Sequence, residues 1–257
     1  MIRSRFVLMA SGLVLVAALG VTLTAQSAPA EWTALTTKLS RAADNGNLAD
    51  LKASRAAAQK IVTVPMAGVA PALALYTLAY ADYRLAADDR TPAAERPGLA
   101  DDAEQSLREA LKKDAAFADA YGLLSATLSL KIGWAASTEA KVSLGPESGQ
   151  SLNRGLAIAP NNPRLLIVQG SALFRRPPEY GGDPQQAEAL FRRAADQLDA
   201  AKDAPWPSWG QFDAHVWLGQ ALAKRGDKDG ARAEYTKALA IAPNSSWVKD
   251  TLLPSVR

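Results

Sequence analysis

The 257-residue chain contains one histidine, His215, and no cysteine. Those counts remove thiol nucleophiles, thiolate metal sites, disulfides and every metal site built on two histidines. A Ser-His-Asp relay would need His215 beside a serine nucleophile, and no Gly-x-Ser-x-Gly turn exists to present one. Gly181-Gly182 lacks the Gly-Lys-Ser/Thr that completes a phosphate-binding loop. The carboxylate pairs Asp88-Asp89 and Asp101-Asp102 fall on a polar loop and at a helix start, where the helix dipole favours anions. Ligation by carboxylates alone has no regular spacing behind it. The expectation is a chain with no catalytic residue, no metal site and no cofactor.

What remains is binding chemistry. Residues 175–184 read Arg-Arg-Pro-Pro-Glu-Tyr-Gly-Gly-Asp-Pro, two guanidiniums and a phenol beside two glycines. Glycine permits positive φ, and Asp183 before Pro184 suits an N-cap followed by proline at the first helical position. A tightly folded, capped loop with Tyr180 packed against its helices is therefore expected. Ligand contact by Arg175, Arg176 and Tyr180 is the alternative. Trp206-Pro207-Ser208-Trp209 is the second unusual segment. It reads as a plug filling a gap between helices, with an exposed aromatic platform as the less favoured reading.

Charge narrows the partners. The formal net charge is +3, but Arg3 and Arg5 lie in a segment with the order of a secretory signal. Two basic residues are followed by sixteen uncharged ones (6–21) and the small-residue end Ala28-Pro29-Ala30. Residues 1–30 are expected to be a cleaved signal peptide, with an uncleaved inner-membrane anchor as second choice. A periplasmic or secreted location follows. Without the two arginines, 27 Lys and Arg face 26 Asp and Glu, so no basic footprint for nucleic acid exists.

The elements that position these residues come from an internal repeat. Leu156-Ala157-Ile158-Ala159-Pro160-Asn161 recurs unchanged as Leu239-Ala240-Ile241-Ala242-Pro243-Asn244. The separation of 83 residues is two 34-residue units plus fifteen inserted residues. The best-kept unit carries Leu218-Gly219, Leu222, Gly226-Asp227, Ala231, Tyr235, Ala238 and Pro243. It resembles the tetratricopeptide repeat, in which small residues let two helices approach and an aromatic fills the groove between them. His215 stands where that family often has tryptophan, and is expected to pack against a neighbouring helix. In the preceding unit Gly170 with Ala187, Phe191 and Ala194 keeps the same spacing.

The resemblance, with apolar residues at three- and four-residue spacing throughout, predicts an all-α, right-handed solenoid of about five helical hairpins. Residues 31–68 form a degenerate first hairpin and residues 69–244 the repeats. Insertions are expected at 86–100, at 132–149, where Trp134 lies and a turn of helix can be added, and at 175–184. Residues 245–253 are expected to form a docked capping helix, begun by the Ser245 or Ser246 hydroxyl and burying Trp247.

In this family the first helix of each hairpin lines the concave face. Mapped by spacing, that face presents Asp119, Arg164, Ile167, Phe174, Arg175, Asp213, Gln220 and Lys224, with Tyr180 nearby in its loop. The resemblance implies a non-catalytic module holding a peptide or partner protein, and arginine and lysine beside Phe and Ile suit a carboxylate-bearing or extended peptide. The Tyr180-Gly181-Gly182-Asp183 loop is also similar to one in exported bacterial proteins of this family, some associated with periplasmic solute transport. That carries the alternative, a small-molecule-binding accessory protein with a closed apolar cavity.

Overall fold

A computed structural model describes residues 28–201 and 204–257, and nearly all of the expected signal segment, residues 1–30, lies outside the described residues. Five helical hairpins follow one another: α1 (Ala30–Asn45) with α2 (Leu48–Thr63), α3 (Pro71–Ala87) with α4 (Arg96–Lys113), α5 (Ala118–Trp134) with α6 (Thr138–Ile158), α7 (Pro163–Arg175) with α8 (Pro184–Ala200), and α9 (Gln211–Arg225) with α10 (Lys228–Ile241). The first helices contact one another in series, α1 to α3, α3 to α5, α5 to α7 and α7 to α9, and so form an inner layer. The second helices form the outer one. No helix among the described residues is long and apolar enough to cross a membrane.

Local chemistry sets the helix ends. Asn47, Asn162, Asp183 and Asp227 each accept a backbone N–H of the following helix, at 2.9 to 3.1 Å. Such caps satisfy one of the donors that a helix start leaves unpaired. Gly226 turns the last hairpin at φ 93°, a left-handed conformation that favours glycine. Within the hairpins, Gly170 lies so close to Phe191 that a Cβ there would come 2.6 Å from its ring, and Gly219 sits under Tyr235 in the same way. Phe191 and Tyr235 are fully buried. The equivalence of these two pairs is the repeat in physical form.

Two expectations, for Tyr180 and for the C-terminal segment, change on the folded chain. Tyr180 is 73% exposed instead of packed against its helices. The loop closes through its own backbone, with Gly181 and Gly182 N–H groups donating to Pro178 and Pro177 carbonyls at 2.9 and 3.0 Å, so the ring is not needed as a filler. The 132–149 insertion adds helix, as the sequence allows: after residues 135–137 it lengthens α6. The C-terminal segment docks, but one residue out of the expected register. Trp247–Leu252 is a π-helical turn leading into a short helix at Leu253–Ser255. Val248, Leu252 and Val256 enter the core against Ala231, Tyr235 and Ala238, while Trp247 is 47% exposed. No serine hydroxyl caps it; the Ser245 carbonyl accepts the Lys249 N–H at 3.1 Å.

Candidate functional site

On α9, Asp213, Trp217, Gln220 and Lys224 recur at helical spacing and share one face. The direction of that face is set by Asp213, whose carboxylate meets Arg84 of α3 at 3.2 Å. It therefore looks inward, across the solenoid. From the adjacent α7, Phe174 and Arg175 reach the same surface. Trp217 stacks on Phe191, with ring centroids 5.6 Å apart and 16° between planes, and takes the edge of Phe174 at 5.9 Å. The Arg175 guanidinium lies 4.7 Å from the Trp217 ring centre and the Lys224 ammonium 4.7 Å from that of Phe174. Both cations are exposed. Among the described residues neither has a carboxylate within ion-pair distance, and neither does Arg176. Cations on ring faces gain electrostatic attraction yet keep their outer hydrogen-bond donors free.

The other expected residues are placed differently. Asp119 pairs with Arg164 and accepts the Asn162 side-chain amide at 2.9 Å, fastening α5 to α7. Those two charges are spent on the scaffold. Ile167 is buried among Leu166, Ala194, Leu198 and Ala214 and is out of a ligand's reach. Gln220 points its amide nitrogen into the interior, without an acceptor among the described residues. Tyr180 stands apart in its exposed loop. Asp213 belongs to a buried cluster in which Arg84 also donates to the Ala43 carbonyl at 2.9 Å and the Tyr80 hydroxyl at 3.3 Å. Asp44 completes it. Burial, reinforced by the Asp213 charge and opposed by Arg84, pushes its carboxyl up to about 7.

His215 does pack against its neighbours, but by charge. Its Nδ1 meets Glu234 of α10 at 2.7 Å and its Nε2 meets Asp199 of α8 at 3.1 Å. With both ring nitrogens held, the ring is a strut tying α9 to two helices. Burial alone would lower its pKa; the bonds to Glu234 and Asp199 outweigh that and hold it above the usual histidine value.

The tryptophan segment supplies the feature of the inner layer least expected from sequence. Trp209 donates its indole N–H to the Tyr76 hydroxyl at 2.6 Å, and Trp206 donates to Thr77 Oγ1 at 2.8 Å. Both partners are on α3, so the segment is a plug, as expected, but of the solenoid's interior instead of a gap between neighbouring hairpins. The sequence reading also missed Trp217, Arg84 and Asp44. Trp217 was detectable: it lies four residues after Asp213 and seven before Lys224, on the stripe already singled out. Arg84 and Asp44 had no local signal, because their meaning depends on which helices face each other.

Residues 212–245 match the model of the Tetratricopeptide repeat family. No curated protein matches the chain. Among solved structures, a thermophilic TPR protein of Thermus thermophilus is similar at TM-score 0.56 and 18% identity, over 81% of this chain and 92% of that one. The HusA haemophore of Porphyromonas gingivalis is similar at TM-score 0.62 and 24% identity, over 75% of this chain and 93% of that one. Both are likenesses of fold. The tetratricopeptide fold suggests a protein-interaction module.

Proposed function

We propose that this protein is an exported, non-catalytic interaction module that holds a carboxylate-bearing extended peptide of a partner protein on the inner face of α7 and α9. The observation that carries the reading is the stack Arg175–Trp217–Phe174–Lys224. Two cations without ion-pair partners among the described residues rest on aromatic rings that buried Phe191 anchors, Trp217 by stacking and Phe174 edge-on. The rings supply rigid apolar contact, and the cations supply charge-assisted hydrogen bonds to carboxylates. Export rests on the composition of residues 1–30.

The test is affinity capture from the periplasm by the wild type and by Arg175→Glu/Lys224→Glu. Two charge-assisted contacts are worth about 1.5–3 kcal/mol each, so a genuine partner is expected to bind at least about tenfold more weakly to the double variant. A partner set identical for the two proteins would refute the reading. The likeness to a haemophore keeps a second reading in view, a small-molecule-binding accessory protein of solute uptake. The groove of about 800 Å³ along α1, lined by Ala30, Thr33, Ala34, Thr37, Lys38 and Arg41, is open, unlike the closed cavity that reading calls for. Native mass spectrometry separates the two, since a reproducible bound small molecule would favour the second.

A further inference from the structure

The stack on α7 and α9 accounts for one half of the inner layer. In the other half the chain binds itself. Helices α8 and α9 pack side by side, and α9 reaches α10 through only Gly226 and Asp227. The link from α8 to α9 nevertheless takes ten residues, 201–210, and its second half departs to the opposite wall of the solenoid.

What it meets there is specific. Indole has one polar group, its N–H, and both indoles find an acceptor on α3: the Tyr76 hydroxyl for Trp209 and Thr77 Oγ1 for Trp206. Thr77 Oγ1 donates its own proton to the Leu73 carbonyl at 2.8 Å, which leaves its lone pairs facing the incoming indole. Tyr80 serves both rings, stacked on Trp209 at 5.2 Å and edge-on to Trp206 at 5.4 Å. Phe117 closes the far side of Tyr76 at 4.9 Å. Trp209 is buried and Trp206 half-buried.

The attachment is confined to these side chains. Pro205 and Pro207 have no N–H to give, and no backbone hydrogen bond ties residues 204–209 to the rest of the described chain. Ala204, Pro205 and Ser208 are exposed. Held by two rings, bent at the cis Trp206–Pro207 bond and without backbone hydrogen bonds to the rest of the described chain, the segment makes the side-chain contacts that a separate tryptophan-bearing peptide would make.

We propose that the inner face of α3 is a binding site for a tryptophan-bearing segment of a partner protein, and that residues 206–209 occupy it in cis as a resident competitor. The partner's role rests on the interaction-module reading above; the site itself does not. A tethered occupant acts at millimolar effective concentration, so a free peptide must bind the occupied protein much more weakly than the emptied one.

The experiment uses a dye-labelled peptide of residues 204–210, Ala-Pro-Trp-Pro-Ser-Trp-Gly, and fluorescence anisotropy. Trp206→Ala/Trp209→Ala is expected to bind it, the wild type at least about tenfold more weakly, and neither to bind the peptide with both tryptophans replaced by alanine. Adding Thr77→Val to the emptied variant is expected to weaken binding again. A folded, fully helical emptied variant that ignores the peptide overturns the proposal, as does equal binding by wild type and variant. Should the double variant not fold, Trp206→Ala alone, which keeps the buried Trp209, must still bind more tightly than wild type. Equal binding there overturns the proposal too. Arg175→Glu/Lys224→Glu changes no residue that touches Trp206 or Trp209 and is expected to bind the peptide as its parent does. Peptide binding can therefore survive a failed capture experiment, and capture can survive a failed peptide titration.

Discussion

His215 and Asp44 are both buried ionisable groups, and they bend the pH–stability curve for different reasons. The His215 pKa is raised in the folded protein, so the protonated ring stabilises the fold below its unfolded value near 6.5, and that contribution fades as pH rises through the folded value. His215→Ala leaves Glu234 and Asp199 facing an empty strut. It is expected to cost about 3 kcal/mol at pH 6, and measurably less at pH 9, by urea denaturation. Asp44 is a carboxylate whose pKa is raised to about 7, the reverse of the common case. Folding favours its protonated form, so its contribution is greatest at low pH and is lost as pH rises through about 7, where two carboxylates come to share the Arg84 charge. Tyr80 and Tyr83, both held protonated by burial, complete the surroundings. Asp44→Asn is therefore expected to raise Tm at pH 8.5 and to leave it unchanged at pH 4. A variant that melts below wild type at pH 8.5 would show that Arg84 outweighs burial. Sequence revealed that His215 packs and that Asp213 faces inward, since each sits on a readable helical stripe. It could not reveal Asp44, whose environment is assembled from α3 and α9.

Among the elements, the repeat units were legible because each is built from contacts between residues near in sequence. Gly219 with Tyr235, and Gly170 with Phe191, are read from spacing alone and found in place. The C-terminal segment shows where such reading stops. Trp247 and Thr251 lie at helical spacing, but the segment opens with a π-helical turn, whose wider winding moves the buried face on by one residue. Val248, Leu252 and Val256 therefore cover the last hairpin. Leu252→Ala is expected to cost about 2–4 kcal/mol and Trp247→Ala less than about 0.5, by thermal or denaturant unfolding. A segment anchored by its tryptophan would reverse that order. Deleting residues 245–257 exposes Tyr235 and Ala238 at the end of the array, and is expected to lower Tm and to promote self-association visible by light scattering.

At the scale of the whole molecule, a plain solenoid is a one-dimensional stack in which each repeat touches only its neighbours, and distant repeats unfold independently. This chain departs from that rule in three places. Arg84 of α3 pairs with Asp213 of α9, the tryptophan segment seals against α3, and the Asn244 N–H donates to the Asn45 side chain at 2.9 Å, joining the end of the last hairpin to the end of α1. None was legible in the sequence, because each joins residues more than 120 positions apart and depends on how sharply five hairpins curve. Together they turn an open array into a closed one, and closure has an energetic consequence. Loss of the first hairpin removes support from the last, so hydrogen exchange in α1–α2 and α9–α10 of the wild type is expected to report one common opening free energy. Arg84→Ala removes the guanidinium at the centre of the cluster and leaves Asp44 and Asp213 facing each other. In that variant the two ends are expected to exchange with separate free energies, the first hairpin opening more readily than the last. Two unequal values already present in the wild type would mean that the three contacts touch without coupling the ends.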